Sequence, residues 1–278
     1  MKILMKEKMP DVLGIDCKTR YPLFFVHGMG FRDDSPFYSY WGRITDRLKA
    51  HGAEIYFSNH DCIGTLRDNA AKIKERFDEL IETEKIEKVN IIAHSKGGIE
   101  SRLLISSLGS APHTASLTTF SSPHRGVKAM DLACRIPFAL AVANPFVNAY
   151  FKLWGDKNPQ FKKTVTELSS ESMEKFNAEN PDDPAVRYFS YAGKMKNSFS
   201  DLIFFFTFPI IKRTDGENDG LVPVESAKWG TFKGVIESKG VRGISHADAV
   251  DLRRSAVGGL DITDVYVEHV QELKKLGL

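Results

Sequence analysis

The segment Val89 to Glu100 reads Val-Asn-Ile-Ile-Ala-His-Ser-Lys-Gly-Gly-Ile-Glu, and it restricts the fold more than any other stretch of the chain. A β-prone apolar run (Val89, Ile91, Ile92) stops at Ser95, two glycines follow, and a helix-compatible stretch then runs from Ile99 to Leu108. This is the layout of a nucleophile elbow, in which a serine sits on a tight strand-to-helix turn with its hydroxyl exposed. The turn holds the serine in a strained backbone conformation, so the residues two places to either side must be small. Here they are Ala93 and Gly97. The same turn sets the backbone N–H of Lys96 at a helix N-terminus, where it can stabilise an oxyanion. The simpler alternative is an ordinary helix start with Ser95 as its N-cap.

A serine hydroxyl is a poor nucleophile near neutral pH and needs a base, which itself needs an orienting acid. With an elbow, the chain order is Ser, then Asp or Glu, then His. Of the eight histidines, His27, His51, His60 and His94 precede Ser95, and His113 and His124 follow it closely. His246, in the polar loop Gly243-Ile-Ser-His-Ala-Asp248, is the expected base. His269 has amphipathic helical surroundings and reads as a surface or packing residue. Asp219, in Asp215-Gly-Glu-Asn-Asp-Gly-Leu-Val-Pro223, is the expected acid, with Asp215 and Glu217 as rivals that read better as turn carboxylates. A second oxyanion donor, the Met29 N–H, is expected where the strand-like run Tyr21 to Val26 breaks at His27-Gly28.

Several segments then match one family in order. They are Val26-His-Gly-Met-Gly-Phe31, Tyr40-Trp-Gly with Leu48 to Tyr56, Lys88 to Ser95, Ser122-Pro-His-Arg-Gly126, Tyr188 to Gly193, Asn218 to Val222, His246-Ala-Asp248 and Val265 to His269. Together they resemble the bacterial true lipases of the Pseudomonas, Burkholderia and Proteus type, which have the α/β-hydrolase fold. The resemblance runs from Arg20 onward and lapses between Ala129 and Pro184. It implies Ser95 as nucleophile, Asp219 as acid, His246 as base, and the Met29 and Lys96 amides as the oxyanion hole. The implied activity is carboxylic ester hydrolysis through an acyl-enzyme: a lipase acting on triacylglycerol or another acyl ester. The alternatives are a short-chain carboxylesterase and an acyltransferase using the same acyl-enzyme. There are departures. Ala93 stands at the common elbow glycine, as in the Bacillus-type lipases. Pro223-Val-Glu225 lacks the cysteine that follows the acid in some secreted relatives. Asn59 to Asn69 lacks a histidine-rich zinc insertion, so no zinc is expected. No cofactor is expected for catalysis. A structural calcium is implied, bound by Asp201 and Asp248 with the Leu252 and Ala256 carbonyls, since hard oxygen ligands suit that ion. Without it, Asp248 caps a helix and Asp201 is a solvated loop residue.

Composition narrows the class. Net charge is +2, from 38 basic and 36 acidic residues, and no basic stripe interleaved with aromatics suggests a nucleic-acid partner. Three scattered cysteines, Cys17, Cys62 and Cys134, suggest free thiols. Residues 1–8 carry charges where a signal peptide needs an apolar run, and no window is apolar enough for a transmembrane helix. A cytoplasmic location is expected, or else a secreted enzyme whose leader is absent from the sequence.

Strand-like and helix-like segments alternate after a polar lead-in over residues 1–20. Strands are expected at Leu23–Val26, Ile55–Ser58, Val89–His94, Ser116–Phe120, Val186–Tyr191 and Lys233–Ser238. Helices are expected at Tyr40–Ala50, Leu66–Glu84 and Asp264–Lys275. That alternation predicts one α/β domain over 1–278, with a mostly parallel central sheet flanked by helices. The stretch from about 129 to 180 breaks the rhythm with Ile136, Phe138, Leu140, Val142, Phe146, Tyr150, Phe151, Leu153 and Trp154. It is expected to be a helical lid insertion over the site, suited to a lipid–water interface, rather than a buried helical pair. The apolar run Leu202 to Ile211 either lines an acyl pocket or fills the core.

Overall fold

The computed structural model describes residues 14–30, 32–33, 39–135, 137–153 and 155–278. Most of the polar lead-in, together with Phe31, Ile136 and Trp154, lies outside them. Strand β1 (Leu23–Val26) is followed by helix α1 (Ile44–Ala50), β2 (Ile55–Phe57), α2 (Leu66–Thr83), β3 (Val89–His94), α3 (Lys96–Ser106) and β4 (Thr114–Phe120). Four helices come next: α4 (Lys128–Cys134), α5 (Pro137–Leu153), α6 (Phe161–Glu167) and α7 (Ser170–Glu179). The chain then forms β5 (Arg187–Gly193), α8 (Thr207–Thr214), α9 (Val224–Ala227), β6 (Thr231–Ile236) and α10 (Ile262–Lys275).

The six strands form one parallel sheet in the order β2-β1-β3-β4-β5-β6. This bears out the expected α/β-hydrolase architecture. The chain reverses its direction of travel across the sheet between β1 and β3, and ligands of open α/β sheets bind beyond the strand ends at such a switch point. Val26 pairs with Ala93 in register, so β1 and β3 end level and deliver His27-Gly28 beside His94-Ser95.

Side chains alternate along the strands and supply two cores, one on each face, as a sheet covered on both sides requires. Leu23, Phe25, Ile92 and Phe120 pack with Trp41, Leu48 and the α10 residues Tyr266, Val270 and Leu273. Phe24, Val26, Ile91 and Leu117 pack on the other face with Ile73, Phe77 and Leu80 of α2 and Leu104 of α3. Thr65 starts α2 by accepting the Asp68 N–H at 3.1 Å, and Phe24 meets Phe77 edge to face at 5.6 Å. Truncating the fully buried Phe77 to alanine should therefore cost about 3–5 kcal/mol.

Candidate active site

Ser95 has φ 55° and ψ −131°, a left-handed conformation that a serine adopts only under local constraint. Its side chain makes no capping bond to α3, which removes the simple N-cap alternative. The constraint is visible at Gly97, where an added Cβ would lie 2.3 Å from the His27 carbonyl oxygen. The hydroxyl Oγ lies 2.9 Å from His246 Nε2, and His246 Nδ1 lies 2.8 Å from Asp219 Oδ2. The structure thus brings together the three expected residues from three separate loops, after β3, β5 and β6.

Asp219 is held tightly. Its other oxygen, Oδ1, accepts the Leu221 N–H at 3.0 Å and the Val222 N–H at 2.8 Å. Its carbonyl accepts the His246 N–H at 2.8 Å, so backbone as well as side chain ties the two loops. An ionised carboxylate with these donors fixes the imidazole with its proton on Nδ1, leaving Nε2 free to accept from Ser95. The rival carboxylates have other tasks: Asp215 accepts the Lys128 and Ala129 N–H groups at the start of α4, and Glu217 pairs with Lys194 and Lys212. His269 packs in the core between Thr118 and Tyr191, and burial lowers it to about 3. It is therefore a packing residue and not a surface one.

Met29 lines a cavity of about 270 Å³ with Gly30, Tyr40, His94, Phe204 and His246. Lys96 opens α3, where the first N–H groups have no intrahelical acceptor. Phe151 of α5 and Ile203 also line the cavity. The Leu202–Ile211 segment divides its residues: Phe204, Phe208 and Ile211 are buried, whereas Leu202, Phe206 and Ile210 are exposed. It serves as pocket wall and as core at once.

Two groups of side chains had no signal in the residue pattern. In the first, Tyr40 Oη accepts the Gly28 N–H at 2.8 Å and therefore donates its own proton to His94 Nδ1 at 2.7 Å. Burial, with the adjacent His246, holds His94 well below the usual histidine range and keeps it neutral. Its ring lies 4.4 Å from that of His246. In the second, the Lys96 ammonium is buried against Glu100, which also accepts from His60 Nε2 at 3.0 Å and Asn69 Nδ2 at 2.8 Å. Burial pushes Glu100 up, but the Lys96 and His60 partners bring it to about 2.

The expected calcium ligands come together, but not in the expected way. Asp201 Oδ1 accepts from Arg253 Nη2 at 2.5 Å, and both oxygens of Asp248 accept from Arg242 Nη2 at 2.9 Å. The Ser245 hydroxyl lies between the two carboxylates, 2.6 Å from Asp201 Oδ2 and 2.8 Å from Asp248 Oδ2. Burial raises Asp201, but Arg253 and Ser245 outweigh it and keep the carboxyl below its ordinary value. Two guanidinium groups thus oppose two carboxylates, whereas calcium needs six to eight oxygens with uncompensated negative charge. As arranged, these residues do not fit the ion. Nor is Asp201 solvated: both aspartates are buried. Among the described residues, no cluster of three or more His, Cys, Asp or Glu could hold a metal.

A parallel sheet with its switch point beside a strained elbow serine, hydrogen-bonded in turn to a histidine and an aspartate, defines a serine hydrolase of the α/β-hydrolase superfamily. Residues 22–196 match the family described as palmitoyl protein thioesterase, and the chain belongs to that family. It is 26% identical over 261 residues to triacylglycerol lipase 2 of Saccharomyces cerevisiae, covering 86% of this chain and 74% of the yeast protein. It is also 26% identical over 303 residues to a triacylglycerol lipase of Pseudomonas fragi, covering 94% and 98% of the two chains. Among solved structures, the Staphylococcus hyicus lipase superposes with a TM-score of 0.68 at 17% identity, covering 97% of this chain and 99% of that one. The mature Bacillus licheniformis lipase gives 0.64 at 22% identity, covering 90% and 91%. The resemblance to lipases is borne out at this level.

Proposed function

We propose that the protein hydrolyses acyl esters through an acyl-enzyme on Ser95. The observation that carries this is the continuous hydrogen-bonded chain from Ser95 through His246 to Asp219, beside an apolar cavity. Ser95 Oγ attacks the carbonyl carbon and passes its proton to His246 Nε2. Asp219 stabilises the imidazolium, and the Met29 and Lys96 amides take the oxyanion. His246 then returns the proton to the leaving group, and water repeats the sequence to release the acid. Catalysis needs no cofactor. The arginine–aspartate cluster joins the segment before α8, through Asp201, to the His246 loop, through Ser245, Asp248 and Arg253.

The acyl group is apolar, since Ile63, Phe161, Phe204, Leu221, Val250 and Leu252 make most of the cavity wall hydrocarbon. Two segments that line it also turn apolar side chains outward. Phe146 and Leu153 of α5 are 74% and 87% exposed, and Leu202, Ile203 and Phe206 are 75%, 64% and 77% exposed. A rim of this kind suits a lipid–water interface, and α4 to α7 form the helical insertion that acts as a lid. Among the described residues no helix is long and apolar enough to cross a membrane.

The family match favours one second reading: the scissile bond is a long-chain acyl thioester rather than an oxygen ester. Rates on p-nitrophenyl esters of increasing chain length, set against S-acyl thioesters of the same chains with thiol release followed, test both. Oxygen-ester turnover that rises with chain length supports the first reading. Thioester turnover far above it would replace that reading with the second, and no turnover of either would refute both.

A further inference from the structure

We propose that His27 is a positioning residue of the oxyanion hole, a buried doubly protonated imidazole that fixes the Gly28–Met29 peptide so that the Met29 amide faces the substrate. The inference rests on the ester-hydrolase reading for its catalytic consequence, though not for its protonation state.

The His27 side chain is fully buried directly after β1. Its Nδ1 lies 2.7 Å from the Gly28 carbonyl oxygen, and its Nε2 lies 3.1 Å from the His60 carbonyl oxygen. A carbonyl oxygen only accepts, so each ring nitrogen must donate. A neutral ring would leave one lone pair facing a carbonyl in a site closed to water, at an unsatisfied-polar cost of about 1–3 kcal/mol. A second proton removes that conflict, provided the charge has a buried partner.

Asp33 is that partner. Its carboxylate lies 4.0 Å from His27 Nε2, with both side chains closed to solvent. It also accepts from Trp41 Nε1 at 2.8 Å. Burial pushes Asp33 up, and His27 is the largest influence opposing it. The other groups facing the ring leave this pairing intact. His60 stacks on His27 at 3.9 Å, but burial and the His27 charge lower it to about 3, so it is neutral and donates to Glu100. Glu100 is already neutralised by Lys96. Tyr40 lies 5.4 Å away as a neutral phenol, since burial raises it well above its usual value. Two buried ion pairs therefore flank the elbow, Lys96–Glu100 and His27–Asp33.

The consequence follows from peptide planarity. Among the described residues no peptide is cis, so the Gly28 C=O and the Met29 N–H point in opposite directions from one rigid plane. Pinning the carbonyl to His27 fixes the amide on the far side, away from the ring. Tyr40 Oη holds the preceding Gly28 N–H at 2.8 Å, so the peptides on both sides of Gly28 are constrained. Met29 lines the cavity with His246.

The test uses the full chain and two variants. His27→Phe keeps the ring stack but has no donor, and His27→Asn keeps an N–H near the Nδ1 position. On p-nitrophenyl butyrate, His27→Phe should lower kcat by about 10²- to 10³-fold with KM little changed, as for loss of one oxyanion donor. His27→Asn should recover most of the loss. Nitrogen-15 NMR of histidine-labelled wild type, assigned by the signal lost in His27→Asn, should show protons on both ring nitrogens near neutral pH. A single protonated nitrogen would overturn the proposal, as would His27→Asn no better than His27→Phe, or a loss confined to KM. If His27→Phe fails to fold, wild-type NMR and His27→Asn decide alone. If the wild type turns over no ester while both nitrogens carry protons, the ester-hydrolase reading fails and the buried imidazolium stands.

Discussion

Replacing Asp219 by asparagine changes one atom of the site, and the surrounding donors dictate how. Oδ1 accepts two backbone N–H groups, from Leu221 and Val222. The asparagine must keep its oxygen there, because turning its NH₂ toward those amides would set donors against donors. Its NH₂ therefore faces His246 Nδ1, where Asp219 Oδ2 accepted at 2.8 Å. The imidazole then satisfies this new donor by placing its own proton on Nε2, the atom that must accept from Ser95. The site keeps its shape but loses its base. The expected loss in kcat is about 10³- to 10⁴-fold, or about 4 to 5.5 kcal/mol at 1.36 kcal/mol per factor of ten. Stopped assays on p-nitrophenyl butyrate, with melting temperature as the check on folding, measure it. A loss below tenfold in a folded variant would show that Asp219 is not the orienting acid. A large loss in Asp215→Asn would move that role upstream.

The arginine–aspartate cluster predicts that chelator leaves the melting temperature unchanged. Arg253→Ala should instead lower stability by about 2–3 kcal/mol, less than for a fully buried pair because Arg253 is 36% exposed; calcium that rescues this variant or stabilises the wild type would refute the cluster's role. Asp201 has a folded pKa below its ordinary 3.8, so its contribution is full above that value and is lost as pH falls through the folded one; acid melts should show this step in the wild type and a smaller one in Arg253→Ala, where Ser245 still donates. Gly97→Ala places a Cβ 2.3 Å from the His27 carbonyl, so the elbow must shift; fluorophosphonate labelling should fall sharply, and unchanged labelling would deny the close packing. Phe206→Asp should spare turnover of a soluble short ester and impair turnover of emulsified triacylglycerol; equal effects on both would argue against an interfacial rim.

The elements that the residue pattern disclosed are those fixed by local rules. The elbow is legible because its strand, small residues and glycines are contiguous, and the acid and base because chain order and turn chemistry leave few candidates. Boundaries were less legible where tertiary bonds decide them. The first helix was expected from Tyr40 but begins at Ile44, because Tyr40 serves Gly28 and the Arg43 N–H goes to Asp251. The last strand was expected at Lys233–Ser238 and runs two residues earlier, over Thr231–Ile236, since its register is set by pairing with β5. The arginine partners of Asp201 and Asp248 were not legible: Arg242 and Arg253 lie in irregular loops with no periodicity, 41 and 52 residues beyond Asp201. The protonation of His27 was equally hidden, because it depends on two carbonyl oxygens that only the fold brings to its ring.

The central claim is that Ser95 becomes acylated. Rapid acid quench during turnover of a p-nitrophenyl ester, followed by peptide mass spectrometry, measures it directly. The account predicts the acyl mass on the peptide containing Ser95, its disappearance in Ser95→Ala, and its accumulation when deacylation is slowed. An acyl group on another residue, or full turnover by Ser95→Ala, would contradict it.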